Sequence, residues 1–129
     1  MGLPAAKAGD RILATDIHII LVPPNATPTP IPHPFVGMID GSLVDSVRIG
    51  GQSAAVVGST ASNTPAHIPQ GGPFQSPPSN RATIQKGSAT VRIGGKPAAR
   101  HGDIAMTCND PSDLPAGQVV AVGSVMIGG

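Results

Sequence analysis

Apolar and polar positions along this chain never settle into a helical period. Apolar residues three and four apart do not persist over any useful length, because Pro or Gly interrupts almost every window. What remains is strand-like. Residues 43–49, 88–93 and 119–127 carry β-branched side chains in partial alternation and are punctuated by Gly-Gly pairs that suit tight turns. Two Pro-rich stretches, 22–34 and 68–78, read as extended, polyproline-like loops. The pattern predicts an all-β domain with long connections. No run of residues approaches the roughly 18 consecutive apolar positions of a membrane span. The start, Met1-Gly2-Leu3-Pro4-Ala5-Ala6-Lys7, lacks the charged and apolar regions of a secretory signal and the Ser/Thr expected for myristoylation.

The strand pattern recurs. Val47-Arg48-Ile49-Gly50-Gly51-Gln52-Ser53-Ala54-Ala55 returns 44 residues later as Val91-Arg92-Ile93-Gly94-Gly95-Lys96-Pro97-Ala98-Ala99. Each copy continues to a Gly and a small polar residue, Gly58-Ser59 and Gly102-Asp103. Pro4-Ala5-Ala6-Lys7-Ala8-Gly9-Asp10 is the back half of the same unit, and Val125-Met126-Ile127-Gly128-Gly129 is its front half. Joining the two ends completes a third copy. The simplest physical account is a closed ring of three units, approximately 4–51, 52–95 and 96–129, cut at one junction, within a single domain 1–129. An open solenoid would instead need distinct capping units.

Composition narrows the function. Of 129 residues, 17 are Gly and 15 Pro, about a quarter of the chain and close to the level of low-complexity disorder, so the repeat is what argues for a fold. A net charge of +1 and the absence of Trp and Tyr leave neither a basic surface nor stacking platforms, which argues against nucleic-acid binding. All seven acidic residues are Asp, so Glu-dependent metalloprotease chemistry is excluded. Two Phe cannot supply much core bulk, and a small domain so built needs another source of stability.

The four His and one Cys offer that source. His18 lies eight residues after Asp10, and His67 lies eight after Ser59, the matching position of the second unit. Cys108 lies five after Asp103 in the third, and His33 enters from the first Pro-rich stretch. In a threefold arrangement these positions converge on the axis. Three imidazoles and one thiolate suit tetrahedral zinc with a filled, structural shell. His101 aligns with Ala8 and Val57 and reads as a surface or interface residue. Asp16 and Asp110 flank candidate ligands and read as turn formers.

The segment Gly87-Ser88-x-x-Val91-x-Ile93-Gly94-Gly95-x-Pro97-Ala98-Ala99-Arg100-x-Gly102-Asp103 resembles the PAAR-repeat proteins, the spike tips of contractile injection systems. The resemblance covers nearly the whole chain. Two copies depart from it: Pro4-Ala5-Ala6-Lys7 lacks the Arg, and Ser53-Ala54-Ala55-Val56 lacks both Pro and Arg. It implies a small conical, pseudo-threefold β domain with one structural zinc near the vertex, held by His18, His33, His67 and Cys108. It further implies a structural rather than enzymatic role: capping a trimeric β-helical spike of the VgrG-like or phage-spike type for puncture of a target membrane. A cell-anchored type VI secretion apparatus, a released particle and a phage tail are the systems it points to. The partners it implies are that spike, one tip chain per trimer, and a non-covalently carried effector, the repeat running to Gly129 without an effector domain. Such a protein is made in the bacterial cytoplasm and delivered at the tip of the particle. The competing reading is a small zinc-dependent hydrolase, which needs an open coordination position and a carboxylate base; neither His-Glu-x-x-His nor Gly-x-Ser-x-Gly occurs.

Overall fold

The alternation visible only in fragments along the sequence becomes twelve strands and no helix among residues 2–128, the residues that the computed structural model describes. Gly129, the last residue of the third expected unit, lies outside them. Six strands close a barrel in the order β10-β11-β2-β3-β6-β7, every pair antiparallel. These are β2 (Arg11–Val22), β3 (Thr27–Gly41), β6 (Thr60–Asn63), β7 (Arg81–Ile84), β10 (Ile104–Thr107) and β11 (Leu114–Val120). The other six form three two-stranded ribbons: β1 (Leu3–Pro4) with β12 (Met126–Ile127), β4 (Val44–Ile49) with β5 (Gln52–Ala54), and β8 (Arg92–Ile93) with β9 (Lys96–Pro97). Each ribbon leads into one barrel hairpin. The two chain ends meet in the first ribbon, where Leu3 pairs with Ile127 and Pro4 with Met126. The ring therefore closes through non-covalent pairing of the half-units. Closure also removes the barrel's open edges.

The two complete repeats turn at Gly50-Gly51 and Gly94-Gly95, where φ is positive at both residues of each pair (58° and 86°, 60° and 82°). Only such a pair matches the twist of a two-residue hairpin at low cost, which is why the Gly-Gly recurs. The Ala-Ala dipeptide follows. Ala6 donates its amide to Ala99 O (3.0 Å), Ala99 to Ala55 O (3.1 Å), and Ala55 to Ala6 O (3.1 Å). This is a closed, three-membered ring of backbone hydrogen bonds about the axis. Ala5, Ala54 and Ala98 form a second layer, and all six alanines are buried. Three segments approaching one axis leave room for a methyl group and nothing larger.

Each segment then turns into the barrel in the same way. Asp10, Ser59 and Asp103 donate their amides to the carbonyls of Lys7, Val56 and Arg100 (3.1, 2.9 and 3.1 Å). Their side-chain oxygens accept the amides of those same three residues (3.1, 3.0 and 2.8 Å). Ser59 thus replaces the bonding function of Asp without its charge. The ion pairs Lys7–Asp10 and Arg100–Asp103 occur in the two units that carry a cation. Above the alanines, Ile12, Ile39, Ile84 and Val119 close the lower barrel, with Phe35 the largest buried side chain.

Three sequence expectations change. The stretch 22–34 is not a loop; most of it is β3, paired residue for residue with β2 from Arg11↔Met38 to Val22↔Thr27. Pro28, Pro30 and Pro32 stand opposite Leu21, Ile19 and Ile17. The amides of those three residues point away from β3, to Pro73 O, Asp110 Oδ2 and Asn109 Oδ1. The prolines therefore occupy the pairs that exchange no hydrogen bonds, where a missing N–H costs the ladder nothing. Residues 88–93 are strand only at Arg92–Ile93, because the Ser88 hydroxyl accepts the amides of Thr90 and Val91 (3.2 and 3.0 Å) and folds a turn. Residues 119–127 break between β11 and β12. By contrast, 68–78 is a connection, as expected. The β2–β3 hairpin, with strands of 12 and 15 residues, outruns its counterparts of four to seven, so the molecule tapers from three ribbons to one hairpin tip.

Candidate metal centre

Period-two geometry sends Asp16 and His18 of β2 into the barrel together, and the register sets His33 of β3 directly opposite Asp16. The third imidazole comes from the β6–β7 connection. His67 donates its amide to Asn80 Oδ1 (2.7 Å), and Asn63 at the end of β6 donates its side-chain amide to His67 Nδ1 (3.2 Å). Cys108 is the first residue after β10. The next two residues fasten it to β2: Asn109 Oδ1 and Asp110 Oδ2 accept the amides of Ile17 and Ile19 (2.6 and 2.8 Å), and Asp110 donates its own to Ile17 O (2.8 Å). Four segments distant in sequence are thus carried to one point.

The three rings form a near-equilateral cluster, with centroid separations of 5.0 Å for His18–His67 and 5.6 Å for the other two pairs. The chain's two aromatics bracket them: Phe74 lies 5.8 and 5.6 Å from His18 and His33, and Phe35 lies 6.0 Å from His67. Phe74 is brought over the tip because its segment pairs with β2 at Ile20. Gly72 permits that approach, since a side chain there would collide with the Leu21 carbonyl oxygen. Donor atoms of Asp16, His18, His67 and Cys108 all lie within 4.8 Å of one another. His33 stands beside this group.

Hydrogen bonding fixes which nitrogens are free. Ile31 O can only accept, so the His33 Nδ1 that lies 2.9 Å from it carries the proton. His33 Nε2 is then a buried lone pair with no partner. His18 Nδ1 lies 3.5 Å from Asp110 Oδ1 and makes no hydrogen bond, while its Nε2 faces Cys108 Sγ at 3.7 Å. An orphaned acceptor such as His33 Nε2 is costly in a buried site and is what a cation would satisfy. Burial pushes the His18 pKa down, with Asp110 opposing, and so favours the neutral ring that a ligand needs. Burial, reinforced by the Asp16 carboxylate, pushes the Cys108 thiol up to about 11. Without a metal this thiol stays protonated; a bound cation would reverse that preference. The donor set fits a metal ion.

Of the sequence candidates, His18, His67 and Cys108 fall within the 4.8 Å group, and His33 packs against both other imidazoles. His101 is exposed in a turn, accepts the Ala121 amide at Nδ1 (3.1 Å), and takes no part. Asp16 was read as a turn former and is instead a fully buried member of the cluster. The signal for it was Asp16-Ile17-His18, a pair two apart on one strand, which places both on one face. A cleft of about 380 Å³ lined by Pro34, Val36, Thr64, Pro65 and Ile68 opens beside His33 and His67.

Among known families, the PAAR motif matches residues 37–111 and 74–129. Neither a curated protein nor a solved structure matches the chain significantly.

Proposed function

The chain belongs to the PAAR-motif family, structural spike-tip proteins of contractile injection systems, and on that premise we propose that it caps and sharpens a trimeric β-helical spike of the VgrG-like or phage-spike type. One tip chain serves one trimer, and contraction of the apparatus drives the pair against a target membrane. The observation that carries this reading is the ring of hydrogen bonds joining Ala6, Ala99 and Ala55. Through it one chain acquires three near-equivalent sides, approximately 4–51, 52–95 and 96–129, and so matches a true threefold partner without a symmetry mismatch. The ribbons lie at the wide end, where Leu3, Val47, Val125 and Met126 remain exposed. Val47 and Val125, at matching positions of two sides, give the spike an exposed apolar contact, with their counterpart Val91 half-buried in the third. Tip and spike are made in the bacterial cytoplasm and leave it as parts of the particle; an effector rides non-covalently where one is carried.

The role is mechanical. Zinc, with three imidazoles and one thiolate as its natural shell, is the metal proposed for His18, His33, His67 and Cys108. When bound it supplies a cross-link at the narrow end, where apolar volume is small. The residues do the rest: β2 and β3 present His18 and His33, Asn63 and Asn80 hold His67, and Asn109 and Asp110 pin Cys108 to β2. The test is co-expression with the trimeric spike of the same injection apparatus, followed by native mass spectrometry. One tip per three spike chains is expected, weakened by Val47→Asp with Val125→Asp. A tip that stays free of the spike at equimolar concentration overturns the reading.

A further inference from the structure

Asp16 is a charged side chain at the heart of the cluster, with no measurable exposure, and the spike-tip role leaves it unexplained. Its contacts are complete. Oδ1 accepts the Thr107 hydroxyl (2.6 Å) and the Asn109 side-chain amide (3.4 Å). Oδ2 accepts His67 Nε2–H (2.8 Å) and the Cys108 thiol (3.3 Å). The proton on His67 Nε2 is assigned by Asn63: its Oδ1 accepts the Val36 amide (2.9 Å), so its nitrogen faces His67 Nδ1 as a donor. Without a metal, Asp16 therefore bonds to two of the proposed ligands at once, from two different connections. A metal would displace the Cys108 thiol proton and take the His67 Nδ1 lone pair from Asn63, leaving the Nε2–H bond to Asp16 in place. Its remaining lone pairs are taken by Thr107 and Asn109. The free acceptor in the cluster is His33 Nε2, not a carboxylate oxygen.

We infer that Asp16 is the positioning carboxylate and counter-charge of the metal centre rather than one of its ligands. The inference rests on the metal centre proposed above. Two physical arguments carry it. A carboxylate bonded to a metal-binding histidine fixes the ring's orientation, and loss of such a partner weakens metal affinity by about 10- to 100-fold. A zinc ion held by three neutral imidazoles and one thiolate keeps a single positive charge. In so buried a cluster that charge needs a neighbour of opposite sign: Asp16, fully buried, bonds to two of the donors, while Asp110 stands further off, 3.5 Å from His18. Thr107 and Asn109 hold it in place from the end of β10 and the residue that fastens Cys108.

The experiment uses the full chain, with zinc affinity measured by competition against a chromophoric chelator and geometry read from the cobalt(II) absorption spectrum. Wild type first establishes whether a metal is bound at all; a chain that takes up neither zinc nor cobalt sinks the metal centre itself, a result distinct from the failure of this inference. With metal bound, Asp16→Asn is expected to lower zinc affinity about 10- to 100-fold while leaving the four-coordinate, thiolate-bound cobalt spectrum unchanged. Thr107→Val removes the 2.6 Å bond that steadies the carboxylate, along with the 3.2 Å bond the hydroxyl accepts from the Asn109 side chain, and about fivefold weakening is expected. It also gives a readout if Asp16→Asn does not fold. Affinities within twofold of wild type in every variant that folds overturn the inference. So does an Asp16→Asn cobalt spectrum of altered coordination, which would make Asp16 a ligand.

Discussion

Cys108 contributes to the centre only through its neighbours. Buried and beside a carboxylate, its thiol is held protonated to about pH 11, so the metal-free protein should resist alkylation at pH 8 until it unfolds. The same shift predicts a pH profile. In the unfolded chain the thiol ionises near 9.0, so the stability its burial contributes is intact below 9 and falls away as pH rises from 9 towards about 11. His18 works in the opposite direction: its folded pKa is depressed, so metal-free stability declines as pH drops below the ordinary value of 6.5. Denaturation midpoints of metal-free protein should plateau between about 6.5 and 9, and Cys108→Ser should flatten the alkaline limb. In the metal-loaded protein, Cys108→Ser should lower the melting temperature by about 10 °C or more and reduce bound zinc below one per chain, whereas His101→Ala should change neither. The reverse ranking would remove Cys108 from the ligand set.

Among the elements, the long β2–β3 hairpin is the one whose sequence misleads. Pro on every second residue resembles a polyproline loop, yet the spacing matches the two-residue period of a strand and confines every missing donor to one edge. That edge of β3 offers few amides to a neighbouring chain, a useful property in a strand that extends beyond the barrel. Shifting a proline by one residue should therefore matter far more than removing one. Thr29→Pro, placed at a hydrogen-bonding pair with Ile20, should cost about 3 kcal/mol or more, while Pro30→Thr should cost less than about 1 kcal/mol. Chemical denaturation of the two variants tests this, and equal effects would contradict the assigned register. The shortest barrel strands, β6, β7 and β10, escaped the sequence reading because each is four residues of mixed small, polar and apolar type, Thr-Ala-Ser-Asn, Arg-Ala-Thr-Ile and Ile-Ala-Met-Thr. Runs that short carry too little pattern to separate from turn.

For the molecule as a whole, threefold order is strongest where the segments converge and fades towards the tip. At the alanine ring any larger side chain must displace two neighbours. Ala55→Leu should destabilise by about 1–3 kcal/mol or more, measured by urea titration. Because Leu3 and Ile127 already pair, joining the ends by a short Gly linker and opening the chain between Gly94 and Gly95 should give a permutant with unchanged zinc content and far-ultraviolet spectrum. Failure to fold would show that the three units are not interchangeable. At the tip the symmetry gives way: one hairpin rises, and the other two units bring His67 and Cys108 to it on connections that bond to β2.

By itself the sequence determined the repeat, the all-β class, the Gly-Gly turns, the closure of the ring, and the His and Cys that could meet on its axis. These depend on local periodicity and on steric limits that any copy of the motif must obey. Only the tertiary structure decided that a proline-rich segment is a strand, that Phe74 covers the cluster, and that Asp16 lies within it. Each of those depends on which edge or face a partner segment occupies. A side chain's surroundings in a narrow barrel come from strands up to about ninety residues away, and no local pattern encodes them.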